Sequence, residues 1–255
     1  MKSFIKSGVF FLIVLLQLSI VNAQDNSRYQ LYYIHEDPVY PSMIAPYEKL
    51  AINLATECKK VNLPDGWLTL NLDNNRYQYV TPINSMADLD KNTFAPLQTK
   101  MGNEAFTKMF TDFDKCYDSH RDFIVRLDKQ LSYMPGGIDI YTDGMPYRHF
   151  TYYYVTPQNI GKATELAKAF HDLYTKKGSK VQYRVYRNGF GEQNAYFMVV
   201  VSAKSAEDYE KRRAENRELL GDEGKELYGK LLQITSEIKN ITGMIRPDLS
   251  YRPGK

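Results

Sequence analysis

The chain is poor in the residues that most often carry recognisable chemistry. Its 255 residues include two cysteines, four histidines and one tryptophan. No His/Cys cluster has zinc spacing, and none of His35, His120, His149 and His171 lies near enough to another for a helical or strand metal pair, so no metal site is expected. There is no nucleophile elbow, phosphate loop or dinucleotide fingerprint, and Gly189-Phe190-Gly191 lacks the strand–glycine–helix context of a phosphate cradle. An excess of one charge is missing as well. The formal net charge is +3, and setting aside Lys2 and Lys6 leaves 31 basic residues against 30 acidic ones. That balance excludes an electrostatic footprint for nucleic acid or an anionic membrane. After the first segment, no apolar run is long enough to span a bilayer.

That first segment joins Lys2 and Lys6 to an apolar run, then Val21, Asn22 and Ala23 before a polar stretch. A positive start, a short apolar run and small residues at a cut site are the parts of a secretory signal peptide. Residues 1–23 are therefore expected to be removed, leaving a periplasmic or secreted protein that is soluble after export. The run of about 16 residues is short for a membrane anchor, which needs roughly 20. Cys58 and Cys116 are then in an oxidising compartment, where a disulfide and two buried thiols are equally open.

What the sequence does contain is a repeat. Leu131-Ser132-Tyr133-Met134-Pro135-Gly136 returns as Leu249-Ser250-Tyr251-Arg252-Pro253-Gly254, and Ser85-Met86-Ala87-Asp88 returns as Ser205-Ala206-Glu207-Asp208, at offsets of 118 and 120. A looser match sets Glu48-Lys49-Leu50-Ala51 against Thr164-Glu165-Leu166-Ala167 at offset 116. Two copies are expected, 24–134 and 147–255, joined by a Pro/Gly/Asp-rich linker at 135–146.

Each copy reads strand, helix, two strands, helix, strand. First strands fall at Tyr29 to His35 and His149 to Val155. The first helices carry Met43, Tyr47, Leu50, Leu54 and Cys58, or Ile160, Ala163, Ala167, Phe170 and Tyr174, at helical spacing. Hairpins follow, Trp67 to Leu72 with Arg76 to Val80, and Val181 to Arg187 with Ala195 to Val201. Ser85 and Ser205 stand three residues before an Asp, a capping-box pattern. A long closing helix is expected from Phe106 through Met109, Phe113, Cys116 and His120 to Leu127, with Leu227, Leu231, Ile234 and Ile238 opposite. Short last strands are expected at Gln130 to Tyr133 and Thr242 to Arg246.

This β-α-β-β-α-β order is the ferredoxin-like unit, an α+β fold whose sheet carries helices on one face and leaves the other bare. Two tandem units packed sheet to sheet would cover both bare faces. In order and duplication the chain resembles the dimeric α+β barrel superfamily, with its monooxygenase-like, EthD-like and NIPSNAP-type members and its haem-binding chlorite dismutase-like and dye-decolorising peroxidase branches. The resemblance implies a pseudo-dimeric barrel; it also implies that haem belongs among the conceivable cofactors, although none is expected from the residues themselves.

Alternation suggests which side chains enter the barrel. Leu68, Leu70 and Leu72 are assigned to the helix side, leaving Trp67, Thr69 and Asn71 inside; Val181, Tyr183 and Val185 likewise leave Gln182, Arg184 and Tyr186. These six are the expected ligand-binding residues, mixing aromatic walls with polar groups. His35 and His149 are the candidate catalytic residues, His35 because it begins His35-Glu36-Asp37, although that triplet before Pro38 reads first as a loop. His120 reads as a hydrogen-bonded core residue. The expected function is an exported barrel binding a small molecule. The alternatives are a cofactor-independent oxygenase-like enzyme acting on an aromatic or apolar substrate, and a structural or partner-binding protein with a filled barrel.

Overall fold

The structure, a computed structural model, describes residues 28–254; the expected signal peptide lies outside them. Among the described residues no helix is long and apolar enough to cross a membrane. Eight strands form the sheet: β1 (Tyr29–Pro38), β2 (Leu68–Leu72), β3 (Arg76–Ile83), β4 (Arg121–Asp128), β5 (Tyr147–Val155), β6 (Tyr183–Asn188), β7 (Tyr196–Ala203) and β8 (Thr235–Ile245). Around them lie α1 (Ile44–Val61), α2 (Ala95–Met101), α3 (Asn103–Phe113), α4 (Ile160–Lys177) and α5 (Ala206–Ile234).

The strands close in the order β1-β3-β2-β8-β5-β7-β6-β4, every pairing antiparallel. Each half thus keeps the ferredoxin-like order, β4-β1-β3-β2 and β8-β5-β7-β6, and the halves meet at two seams, β2–β8 and β4–β6. Closure leaves no sheet edge unpaired, which solves the bare-face and bare-edge problems together. The barrel is filled by inward side chains, among them Tyr32, Ile34, Leu68, Leu70, Phe123, Val125, Phe150, Tyr186, Met198 and Val200. A second core lies between the first-half sheet and its helices, built on Tyr47, Leu54, Trp67, Tyr77, Met109 and Phe113. A third, with Val155, Leu166, Tyr183, Val185, Phe197 and Ile234, lies under α4 and α5.

Local structure repeats with the sequence. The first helix of each half ends on a left-handed residue, Asn62 (φ 48°) and Gly178 (φ 62°), whose amide returns to the last turn; this is the αL stop that asparagine and glycine tolerate. The strongest repeat, Leu-Ser-Tyr, is a reciprocal latch. Tyr133 of the first copy bridges Tyr183 of the second, and Tyr251 of the second bridges Trp67 of the first. Ser132 Oγ accepts from the Val185 amide (2.9 Å), and Ser250 Oγ accepts from the Thr69 amide (2.8 Å). Leu131 and Leu249 are buried in the core of the opposite half. Gly66 lets the second latch close, because an added Cβ would strike the Tyr251 carbonyl oxygen.

Three expectations are corrected. The closing helix of the first half stops at Phe113, and residues 121–128 are strand, not helix; the last strand is β4, not Gln130 to Tyr133. Phe123, Val125 and Leu127 enter the barrel while Ile124 is buried on the other face. A strand covered on both faces gives a near-continuous apolar run that also fits a helical period. In the second half the last strand begins at Thr235, so Ile238 is on β8. His35-Glu36-Asp37 is not a loop either: β1 runs on to Pro38, because Glu36 is buried and satisfied by Arg76, Gln78 and Arg121.

The linker is also more than a connector. The Asp139 carbonyl accepts from Arg184 (2.7 Å) and the Ile140 carbonyl from Arg148 (2.9 Å), while Ile138, Ile140 and Tyr141 pack on the barrel core.

Candidate functional site

Period-2 alternation puts Tyr33, His35 and Asp37 of β1 on the outer face of the first-half sheet. Register sets His35 beside Tyr79 of β3 and Asp122 of β4. Helix α1 adds Tyr47, and the segment between α3 and β4 adds Tyr117 and His120. Of these groups Tyr33, His35, Asp37, Tyr79, Tyr117 and His120 line one end of a cavity of about 580 Å³ whose walls include Leu54, Leu63, Trp67, Phe94, Phe110 and Phe113.

The cavity exists because the cover differs between halves. Ser205 opens α5, its Oγ accepting the Asp208 amide, and α5 continues for 29 residues with one kink at Gly221 (φ 60°). Ser85 opens only a short 3-10 turn at Met86–Asp90, although Asp88 Oδ2 accepts both the Asn84 and Ser85 amides. Helical cover resumes at Ala95 and breaks again at Gly102 (φ 81°). Leu89, Lys91, Thr93 and Phe94 from this unwound stretch form a rim over the cavity instead of filling it.

At the polar end His35 is held from both sides. Its Nδ1 lies 2.8 Å from Asp122 Oδ1 and its Nε2 lies 3.0 Å from Asp37 Oδ1. Burial opposes a charge on His35, but the hydrogen bonds and charges of Asp37 and Asp122 outweigh it, and its pKa is pushed up to about 9. At neutral pH it is a charged donor rather than a ready base. Tyr33 donates to Asp122. Tyr47 donates to Asp37 Oδ2 at 2.6 Å and meets the Tyr79 hydroxyl at 2.8 Å. Asp37 is 3 % exposed, and its Oδ1, though near His35, receives no aligned hydrogen bond. Burial raises the pKa of Tyr33, Tyr79 and Tyr117, so all three stay neutral phenols. The His120 ring is exposed, 5.1 Å from that of His35. It is not the core residue expected, because the helix stripe that would have buried it ends at Phe113.

The six ligand-binding residues expected from alternation do not converge. Leu68, Leu70 and Leu72 face the barrel interior, so Trp67, Thr69 and Asn71 are outside it. Both faces of β2 are covered, so alternation alone does not reveal which is the helix side. Thr69 Oγ1 and Trp67 Nε1 both donate to the Leu249 carbonyl, and Asn71 Nδ2 donates to the Tyr77 hydroxyl. Of the three, Trp67 borders the cavity. Arg184 and Tyr186 do enter the barrel, where the free space is about 50 Å³. Arg184 bonds Ser202 and the linker there, and Gln182 precedes β6. His149 is on the other face from Arg184, stacked on Tyr209 at 4.2 Å with its pKa lowered by burial. Cys58 and Cys116 are unbonded and buried in the same core cluster.

Sequence reasoning missed Asp122, Tyr33, Tyr79 and Tyr117. The signal for Asp122 was present in the alternation of Phe123, Val125 and Leu127. A haem needs an imidazole or phenolate turned to its iron. Asp37 Oδ1 stands 3.0 Å from His35 Nε2, so a haem macrocycle cannot close over that nitrogen, and the innermost imidazole of this cavity does not fit that role.

No family profile and no curated protein sequence matches the chain. Solved structures do. An anthrone oxidase-like protein superposes with a TM-score of 0.55 at 18% identity, covering 89% of this chain and 94% of its own. A candidate monooxygenase from Lactobacillus acidophilus NCFM gives 0.52 at 8% identity over 88% and 97%, and one from Fusobacterium nucleatum gives 0.51 at 12% over 85% and 92%. Identities this low speak for architecture alone: the chain has the fold of the dimeric α+β barrel proteins, with both halves carried on one polypeptide.

Proposed function

We propose that this protein binds a small, mostly aromatic molecule carrying a hydrogen-bonding oxygen, and that the ligand sits between the first-half sheet and its helices rather than inside the barrel. The observation that carries the reading is the 580 Å³ cavity, aromatic along its walls and polar at one end. Its size falls within the range of small-molecule sites, and its composition, apolar surface with a few convergent polar groups, is theirs too. Hydroxyaromatic compounds of the anthrone class are the first probes, given the anthrone oxidase-like protein among the similar folds. The leader read in residues 1–23 supports a periplasmic or extracellular setting for this binding; a mature chain starting at Gln24, read by mass spectrometry, is the expected result.

Trp67 is the single tryptophan and borders the cavity, so its fluorescence reports occupancy. Titration with naphthol or anthrone is expected to change it saturably, and Thr81→Phe, which intrudes on the cavity from β3, is expected to abolish the change. A flat response to every hydroxyaromatic probe sinks the reading. The enzymatic alternative is direct oxidation of such a ligand, which needs a group to take its hydroxyl proton. Asp37, which borders the cavity beside His35, is the candidate acceptor, and oxygen uptake in the presence of anthrone separates turnover from binding.

A further inference from the structure

We propose that His35, His120 and Asp37 form a site for one divalent first-row transition metal, zinc or iron, at the polar end of the cavity. One ligand atom from each, two imidazole nitrogens and a carboxylate oxygen, fall within 4.8 Å of one another. Two imidazoles and a carboxylate form the donor set that suits these borderline cations and leaves coordination positions open. His120 is exposed, and its ring must turn toward the other two donors for the triangle to close.

Three further observations converge on a cation. The first is the stranded oxygen. Asp37 is almost wholly buried, yet Oδ1 has no aligned donor, and it lies 3.0 Å from His35 Nε2. Two donors around an ion with bonds of about 2.1 Å are about 3.0 Å apart at right angles and about 3.4 Å apart in a tetrahedral site. The second is the supporting shell. Metal binding displaces the Nε2 proton of His35 to solvent; with Nε2 then facing the metal, His35 Nδ1–H donates to Asp122, Tyr33 steadies Asp122, and Tyr47 donates to the other oxygen of Asp37. Metal-binding imidazoles and carboxylates are characteristically held in this way from behind. The third is the juxtaposition of two imidazole rings at 5.1 Å. An ion pair between His35 and the carboxylates accounts for one ring; it gives no reason for the second, which would repel the first if both were protonated.

The second half supplies the internal contrast. Thr151 pairs with Val199 and Asn240 as His35 pairs with Tyr79 and Asp122, and Tyr153 takes the place of Asp37. Thr151 Oγ1 bonds Asn240 Oδ1 at 3.0 Å, a neutral contact offering no comparable ligand set. The inference concerns the polar groups alone and stands apart from what occupies the rest of the cavity.

The test uses full-length protein stripped with chelator, dialysed, and titrated with Co²⁺ or Zn²⁺ alone, read by visible d–d absorption and calorimetry. One equivalent is expected to bind. His120→Ala, a surface change that leaves the core intact, and His35→Ala are each expected to weaken binding at least roughly 100-fold, and Asp122→Asn by about 10- to 100-fold. Failure of the wild type to bind one equivalent overturns the site, as does a His120→Ala variant that binds as the wild type does. Naphthol titration of the stripped wild-type protein keeps the two readings separate, since saturable Trp67 quenching there upholds the cavity whatever the metal result.

Discussion

The two halves share a backbone plan and differ in what their outer faces do. Under α4 and α5 the second half is packed, with Leu166, Tyr183, Val185 and Phe197 against Leu227, Leu231 and Ile234. The matching space in the first half is open, because the cover there unwinds after Ser85 and breaks at Gly102. His35, Asp37, Tyr79 and Asp122 stand where the second half has Thr151, Tyr153, Val199 and Asn240. One copy has become scaffold and the other keeps a hollow lined with ionisable groups. Sites built for binding commonly give up packing in this way, and the packed partner holds the barrel together.

The largest expected effect exploits that difference directly. Leu166→Ala in α4 opens a void in a filled core and is expected to cost about 3 kcal/mol in urea denaturation; Phe110→Ala, which only widens an existing cavity, is expected to cost about 1 kcal/mol, since the penalty follows the new void. Equal costs would mean that the two faces are packed alike. Next comes transplantation of the second half's pair. His35→Thr with Asp122→Asn is expected to reduce Co²⁺ affinity at least roughly 100-fold and to cost about 2 kcal/mol, because the buried Asp37 carboxylate loses its cation.

The third effect depends on pH and on a residue without a charged counterpart, Glu36, whose place on β5 is taken by Tyr152. Burial opposes its ionisation, but Arg121, Gln78 and Arg76 bond the carboxylate and hold its pKa below the usual 4.5. A depressed folded pKa gives stability that is present above the unfolded value and lost as pH falls through the folded one. Glu36→Gln is therefore expected to cost about 1.5 kcal/mol at pH 7 and progressively less below about pH 4.5, checked by denaturation at stepped pH. The smallest effect tests sameness rather than difference. Ser132→Ala and Ser250→Ala each remove one latch hydrogen bond and are expected to cost about 1 kcal/mol apiece; unequal losses would show that the two latches have diverged as the faces have.

The doubled architecture was legible because it is written locally, in Leu-Ser-Tyr, in the serines three residues before Asp, and in strand and helix periods that recur near one offset. The site was far less so. His35 drew notice for its carboxylate neighbours, but Glu36 points into the barrel and Asp37 away from it, which only a correct strand assignment reveals. Asp122 and His120 lie more than eighty residues along, in a stretch where an apolar run buried on both faces imitates a helix. The inner and outer faces of β2 were exchanged for a related reason: both are buried, and leucine marks the barrel core as readily as a helix contact.

The latch bears on the order in which the molecule folds. Trp67 pairs with Tyr251 and bonds Leu249, so part of the cavity's own wall is fastened by residues more than 180 positions downstream. Contacts so distant in sequence form late and slow folding, and chains emerge and begin to fold from the amino end. The wall that Trp67 contributes to the first-half cavity is therefore sealed only once the carboxyl-terminal segment has joined the fold.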